Sequence, residues 1–225
     1  MKIFLYPIVF LLFFNQNVPR ANADDIMGSD LTWTCIGQDS FLIKMVVYGD
    51  CNGSSFVSGI IKLNCATTGA LITTINVSYG TPVDVTPICN SSCTRCQNPG
   101  CSFPYGIKRY IVQGIVYLNS AGTCCSITIS WQQWGRNYAI TTGASGTHFY
   151  TEAILNRCQN PCDNSPTFSN APVAISCIGQ PFTFIQGQQD LDVNSKGGLS
   201  DSFTYEWAEP LAAKYTPVSY LSPYA

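Results

Sequence analysis

The chain has 225 residues, and 11 lysine and arginine residues against 13 acidic residues give it a formal net charge of −2 at neutral pH. This balance excludes the basic stripe that nucleic-acid binding needs and the polybasic patch of a membrane-surface protein. The hydrophobic share of 46% excludes a disordered chain, and the low charged share of 11% is typical of an extracellular surface built from Ser, Thr, Asn and Gln.

The N-terminal residues predict a secretion signal. Residues 1–14 hold one positive charge followed by an apolar run, and Ala21, Asn22 and Ala23 have the small-residue pattern of a cleavage site. A membrane span needs roughly 20 apolar residues, whereas this run breaks at Asn15. We therefore expect a signal peptide over 1–23, a mature chain without a transmembrane segment, and a secreted protein that lies at the cell surface.

The pattern of the remaining chain is that of β-strands. Runs rich in β-branched and aromatic residues, separated by Gly, Asn and Pro turns, predict strands over 41–48, 57–64, 71–79, 109–118, 126–131, 149–155, 173–177, 182–185 and 202–207. No long window has a helical repeat, and the best candidate is a single turn over 211–214. The sequence predicts an all-β protein, an antiparallel, Ig-like β-sandwich stapled by disulfides.

A domain boundary is predicted near residue 165. The segment 158–166 contains two cysteines and two prolines and has the composition of a connector. We expect a disulfide-rich sandwich over 24–165 and a partial second Ig-like or cadherin-like module over 166–225, because a seven-stranded sandwich needs about 100 residues.

The cysteines predict disulfides. Their even number and the oxidising route of a secreted protein favour pairing of all twelve: Cys35, Cys51, Cys65, Cys89, Cys93, Cys96, Cys101, Cys124, Cys125, Cys158, Cys162 and Cys177. The alternative is a zinc site within the cluster over 89–101, but zinc ligands favour paired two-residue spacings, and only Cys93 and Cys96 have one. Cys124 and Cys125 point to opposite faces if they lie in a strand, so we expect them to have different partners.

No catalytic constellation is visible in the sequence. The single histidine, His148, has Ser145 nearby but lacks a Gly-x-Ser-x-Gly nucleophile motif, so we predict a protein that is not an enzyme. We also expect no cofactor. Calcium is the alternative, because carboxylates such as Asp190, Asp192 and Asp201 supply the oxygen ligands that calcium prefers. The favoured interpretation of these residues is a solvated loop with Asx turns.

Several segments together resemble one group of proteins. These segments are GSDLTWTC (28–35), VVYGDC (46–51), CCSITISW (124–131), RNYAIT (136–141), YTEAILN (150–156), NSPTF (164–168) and GQPF (179–182). Through them the chain resembles the N-terminal region of secreted surface adhesins of the Bacteroidota, of the gliding-motility-associated or polycystic-kidney-disease-repeat type, which are exported by type nine secretion. The resemblance implies an extracellular β-sandwich with an adhesive or structural role.

The combined features predict a protein that acts by binding. We expect a cell-surface polysaccharide or protein as the ligand and exposed loops as the binding surface, with candidate contacts at Phe103, Tyr105, Gln132, Gln133 and Trp134. Trp131 is expected in the core. The alternative is a subunit of a self-assembling extracellular filament, in which a neighbouring chain fills the open edge of the second module by strand exchange and the tail over 215–221 is the donor.

Overall fold

The computed structural model describes residues 26–88, 92–101, 106–172, 179, 181–190, 192 and 202–223. Within these ranges there is no α-helix, and one short 3-10 turn covers Leu118–Ala121. The strands are β1 (Ile26–Gly37), β2 (Ser40–Asp50), β3 (Ser58–Cys65), β4 (Leu71–Ser78), β5 (Val83–Asp84), β6 (Ile107–Tyr117), β7 (Ser126–Trp134), β8 (His148–Asn156), β9 (Thr167–Phe168), β10 (Gln188–Gln189), β11 (Leu211–Ala213) and β12 (Thr216–Pro217). The predicted all-β fold is confirmed.

Two antiparallel sheets form a sandwich. One sheet has four strands in the order β1-β2-β6-β5, and the other has six in the order β12-β11-β8-β7-β3-β4. Because successive side chains in a strand point to opposite faces, every second residue enters the space between the sheets. The core is built from these residues, including Phe41, Ile43, Met45, Val47, Tyr110 and Val112 of the smaller sheet and Ile61, Leu63, Ile127, Ile129, Trp131 and Leu155 of the larger one.

The long central strands match the prediction, and the short or irregular ones do not. Each of the six predicted strands that begin between residues 41 and 149 is confirmed, with ends that differ by three residues or fewer. The expected helical turn at 211–214 is wrong, because Leu211 pairs with Tyr150 of β8 and Ala213 with Thr216 of β12. The predicted strand over 173–177 lies outside the described residues.

Two predicted strands in the second half are also wrong. Residues 182–185 and 202–207 are not in strands. Their aromatic side chains face solvent instead, with Phe182 at 53%, Tyr205 at 62% and Trp207 at 103% relative exposure. A strand needs a hydrogen-bonded neighbour as well as suitable residues, and pattern alone does not supply one.

Strand β1 is the main element that the sequence pattern missed. Its first half contains Gly28, Ser29 and Asp30, which have low strand propensity. The strand forms because it pairs with β2 along almost its whole length, from Ile26 opposite Gly49 to Gly37 opposite Ser40. Tertiary pairing overrides local preference at this edge of the smaller sheet.

The connector after β8 lines the free edge of β1. The hydroxyl of Ser165 accepts a hydrogen bond from the Trp33 backbone amide at 2.8 Å, and the backbone amide of Ser165 donates to the Trp33 carbonyl at 3.0 Å. The side chain of Asn164 accepts a bond from the Cys35 amide at 2.8 Å, and a disulfide joins Cys35 to Cys162. These contacts satisfy backbone groups that an edge strand otherwise leaves unpaired.

Ten cysteines form five disulfides, which confirms the disulfide prediction for these residues. The pairs are Cys35–Cys162, Cys51–Cys96, Cys65–Cys124, Cys93–Cys101 and Cys125–Cys158. The adjacent residues Cys124 and Cys125 have different partners, as expected. The zinc alternative is contradicted at Cys93, Cys96 and Cys101, because their sulfurs are bonded to other cysteines. Cys89 and Cys177 lie outside the described residues.

Residues beyond the predicted boundary take part in two different sheets. Strands β9 and β10 form a small sheet of their own, whereas β11 extends the six-stranded sheet through β8. Strands β11 and β12 therefore belong to the main sandwich, although they follow the predicted boundary. The division into domains at 165 stays a prediction.

Candidate binding groove on the six-stranded sheet

The outer face of the six-stranded sheet is mainly polar. Since Ile61, Leu63 and Trp131 point into the core, the alternating residues of the same strands point outward. The polar outward residues are Lys62, Asn64, Thr128, Ser130 and Gln132 on β3 and β7, and Tyr150 and Glu152 on β8. The exposed apolar residues Ile60 of β3 and Ile154 of β8 also point outward, and Ile60 lines the groove. Cross-strand pairing aligns them in rows, with Lys62 opposite Ser130, Ser130 opposite Glu152 and Gln132 opposite Tyr150.

A groove of about 990 Å³ runs across this face. It forms because the central strand β7 carries the small side chains of Thr128 and Ser130, while the flanking strands carry the longer ones of Lys62 and Tyr150. The turn after β3 borders the groove through residues 66–69, and the turn between β11 and β12 borders it through residues 213–215. The lining is mostly hydroxyl, amide and backbone groups with tyrosine rings, which can donate and accept hydrogen bonds in many directions.

Tyr150 is held as a neutral hydrogen-bond donor in this groove. Its hydroxyl donates to Oε2 of Glu152 at 2.5 Å. Burial raises the pKa of Tyr150, and the bond to Glu152 and the negative charge of that carboxylate raise it further, against a smaller lowering by the Ser130 hydroxyl. The phenol therefore stays protonated throughout the physiological range.

The wall formed by β11 is tied to the sheet by two side chains. Gln132 donates from Nε2 to the Ala212 carbonyl at 2.9 Å, and Arg136 donates to the Leu211 carbonyl, also at 2.9 Å. Arg136 is buried, and its guanidinium lies 4.7 Å from the centre of the Phe149 ring, a cation–π contact. Burial lowers the pKa of Arg136, an effect that Tyr220 partly offsets. These contacts bring the turn at residues 213–215 to the groove.

The predicted contact residues have different positions. Gln132 and Gln133 both line the groove. Trp134 is not among its lining residues; it is half exposed, packs edge-to-face on His148 at 4.8 Å, and borders a small hollow beside Phe56 and Val57. Trp131 is 1% exposed, so its predicted place in the core is confirmed. Phe103 and Tyr105 lie outside the described residues.

Sequence reasoning missed three groove residues that the structure brings together: Lys62, Tyr150 and Tyr215. Lys62 and Tyr150 could have been predicted, because they occupy alternate outward positions in strands that the pattern identifies correctly. Tyr215 could not, because it reaches the groove only through the pairing of β11 with β8, and these strands are more than fifty residues apart in the sequence.

The acidic residues proposed for calcium bind amide groups of the chain. Both carboxylate oxygens of Asp192 accept hydrogen bonds from Asn164, one from the backbone amide at 2.7 Å and the other from the side chain. Asp190 is buried and accepts the Asp192 amide at 2.9 Å. Asp192 thus anchors its segment to the connector beside β1, and Asp190 holds the backbone of that segment in a local turn. Asp201 lies outside the described residues, and calcium binding stays a prediction.

One further cluster in the described part of the chain brings together groups that metals can bind, namely Cys51, Cys96 and Asp84. The two sulfurs form a disulfide, and the carboxylate of Asp84 accepts bonds from Thr86 and Thr94. Burial alone would raise the pKa of Asp84, but these hydrogen bonds outweigh it and the pKa is lowered. The cluster staples the loop after β5.

Comparison with protein-family models, with curated proteins and with solved structures found no match. Among the described residues, no helix has the length and apolar character that crossing a membrane requires. We therefore infer the function from the residues and the shape of the groove.

Proposed function

We propose that this protein is a secreted cell-surface adhesin that acts by binding, without catalysis, and that it holds a polysaccharide in the groove. The observation that carries the proposal is the composition of the groove lining. Hydroxyl, amide and tyrosine groups spread over three strands and two turns match the repeated hydroxyl groups of a sugar chain. A protein ligand is less suited to this face, because the centres of protein interfaces are mainly apolar.

An extracellular location is supported by two features. Five disulfides are compatible with an oxidising compartment, and the N-terminal residues have the pattern of a secretion signal. The resemblance of the ordered motifs to Bacteroidota gliding-motility adhesins, exported by type nine secretion, supports an adhesive role.

The test is a binding assay with one tyrosine substitution and a matched control. Tyr215→Ala removes an exposed ring from the groove, and Tyr117→Ala removes an exposed ring from the outer face of the other sheet. A panel of neutral and acidic polysaccharides would be scored by affinity electrophoresis with both variants and the parent. We expect Tyr215→Ala to weaken binding about fivefold or more and Tyr117→Ala to leave it unchanged.

Two results would contradict the proposal. One is the absence of binding to every polysaccharide of the panel. The other is equal weakening by the two substitutions, because this would place the ligand away from the groove.

A filament subunit is the second candidate, and the exposed aromatic residues of the segment 181–207 favour it. Trp207 is fully exposed, and Phe182 and Tyr205 are more than half exposed, which is typical of surfaces that meet another molecule. The tail proposed as a donor strand, however, pairs within its own chain through β11 and β12. Light scattering over a wide concentration range tests this candidate: ordered growth supports it, and a constant monomer mass contradicts it.

A further inference from the structure

We infer that the polysaccharide bound in the groove is acidic, and that Lys62 and Lys214 recognise its carboxylate or sulfate groups. The inference rests on the proposed function and narrows it to one chemical class of ligand. Both lysines line the groove, and no aspartate or glutamate is among its lining residues. The groove thus carries positive charge on a chain whose formal net charge is −2.

The two ammonium groups are available to a ligand. Lys62 is an exposed, outward-facing residue of β3, opposite Ser130 on β7 and Thr74 on β4. Lys214 lies in the turn after β11, with its ammonium 5.1 Å from the centre of the Tyr215 ring. Among the residues that the structure describes, the ion pair is Arg157 with Asp39, and neither groove lysine takes part in one.

The carboxylate of Glu152 does not cancel these charges. Glu152 lies in the same cross-strand row as Lys62, with Ser130 between them. One of its oxygens accepts the hydroxyl of Tyr150. A single carboxylate engaged in this way faces two lysines, so the field over the groove remains favourable to an anion.

The separation of the lysines indicates a polymer rather than a single sugar. Lys62 is on β3 and Lys214 follows β11, and the strand order places β7 and β8 between them. Three strand spacings of about 4.8 Å separate the two positions by roughly 14 Å across the sheet. The register adds an offset along the strands, because Lys62 lies in the row of Glu152, whereas Leu211 lies opposite Tyr150. One sugar ring does not span this distance, whereas a chain with a negative charge on successive or alternate residues reaches both ammonium groups.

A single exposed ion pair contributes little to the free energy of binding, and salt screens it further. Binding should therefore be modest for each groove, strongest at low ionic strength, and enhanced where many proteins meet one long polymer. These properties suit reversible attachment to a surface coated with acidic polysaccharide.

The experiment compares three polymers with the mature chain in its oxidised form. Polygalacturonate supplies carboxylates, dextran sulfate supplies sulfates, and unmodified dextran is the neutral control. Binding is measured by biolayer interferometry at low and at high salt. The variants are Lys62→Gln, Lys214→Gln and both together, with Lys44→Gln, an exposed position on the outer face of the other sheet, as the matched control.

We expect at least one acidic polymer to bind, with an affinity that falls as salt rises, and dextran to bind at least tenfold more weakly. Each groove substitution should weaken binding about three- to fivefold, and the double substitution about tenfold or more. Lys44→Gln should leave the affinity unchanged. A preference for polygalacturonate or for dextran sulfate identifies the anionic group that the groove selects.

Equal binding of dextran and the acidic polymers would overturn the inference, as would acidic binding that the double substitution leaves intact. Other results distinguish this inference from the proposed function. If neutral polysaccharides bind as well as acidic ones and Tyr215→Ala weakens their binding, the groove is a polysaccharide site without a preference for acidic chains, and only the inference fails. If no polysaccharide binds at all, both proposals fail.

Discussion

The outer faces of the two sheets differ in what covers them. The face of the six-stranded sheet is mainly polar and open, and it contains the groove. The face of the four-stranded sheet is partly covered by the chain itself, because residues 167–171 enclose a cavity of about 150 Å³ together with Asp30, Tyr48 and Arg109. Away from this cover it exposes an apolar stripe with Ile115 and Tyr117.

The covered face carries a tyrosine–carboxylate pair, as the open face does with Tyr150 and Glu152. The Tyr48 hydroxyl donates to Asp30 at 3.2 Å. Burial raises the pKa of Asp30, and burial together with the carboxylate of Asp30 raises the pKa of Tyr48 to about 12. The chain thus closes one face of the sandwich at some electrostatic cost, and leaves the other face free for a ligand.

The largest effect should come from releasing the connector that leads to the covering segment. The disulfide Cys35–Cys162 closes a loop with a sequence separation of 127 residues, whereas Cys93–Cys101 closes one of 8. The disulfides Cys65–Cys124 and Cys125–Cys158 shorten the loop that Cys35–Cys162 closes in the unfolded chain to roughly 35 residues. Replacing both cysteines of this loop by alanine should lower the free energy of unfolding by about 4 kcal/mol, and the same change in the short loop by about 2.5 kcal/mol. Guanidinium denaturation of the two double variants measures the difference.

The same two double variants test whether the two sheets lose protection from hydrogen exchange independently. Loss of Cys35–Cys162 should increase hydrogen exchange in β1, whose edge is lined by the connector, by more than it increases exchange in β3 and β7 under the groove, which lose protection only through the lower global stability. Equal loss of protection in both sheets would show that the faces are not independent.

The second prediction concerns the spacing between the sheets. A Cβ atom added at Gly114 of β6 would lie 2.5 Å from Cγ2 of Ile75 on β4, well inside van der Waals contact. Gly114→Val should therefore destabilise the fold by about 1–3 kcal/mol through overpacking. Gly80→Ala is the control, because nothing lies within 4 Å of its added Cβ. Thermal melting of both variants measures the effect, and an unchanged melting temperature for Gly114→Val would contradict this packing.

The sequence predicts most of the sandwich, for a physical reason. Alternation in 41–48, 109–118 and 126–131 is strong because one face of each strand is buried in the core. This alternation is weak in β1, which forms because it pairs with β2. At 202–207 the residue types favour a strand, but no strand forms because this segment has no partner strand in the part of the chain that the structure describes.

The groove is only half predictable. Gln132 follows directly from the position of β7, and Lys62 and Tyr150 follow from outward alternation. Lys214 and Tyr215 depend on a long-range pairing that no local pattern encodes. The disulfide partners are equally hidden, since spacing does not specify connectivity.

The smallest effect should appear in the pH dependence of stability, and it contrasts the covered Asp30 with Asp84 at the edge of the same sheet. Since the pKa of Asp30 is raised on folding, the folded state binds its proton more tightly than the unfolded chain does. Stability therefore falls as pH rises from the ordinary value of 3.8 through the higher folded value, and it stays reduced at neutral pH. Asp30→Asn should raise the free energy of unfolding at pH 7 and remove the contribution of Asp30 to its pH dependence.

Asp84 should behave in the opposite way. Its pKa is lowered on folding, so its contribution to stability is complete above the ordinary value and is lost as pH falls through the lower folded value. Asp84→Asn should therefore reduce stability at pH 7. Urea denaturation of both variants from pH 3 to pH 8 tests the pair. Opposite signs at neutral pH are expected because the cover over β1 withdraws water from Asp30, whereas threonine hydroxyls solvate Asp84. The same sign for both would mean that residues 167–171 leave Asp30 hydrated, and the contrast between a covered and an open face would then lose its electrostatic basis.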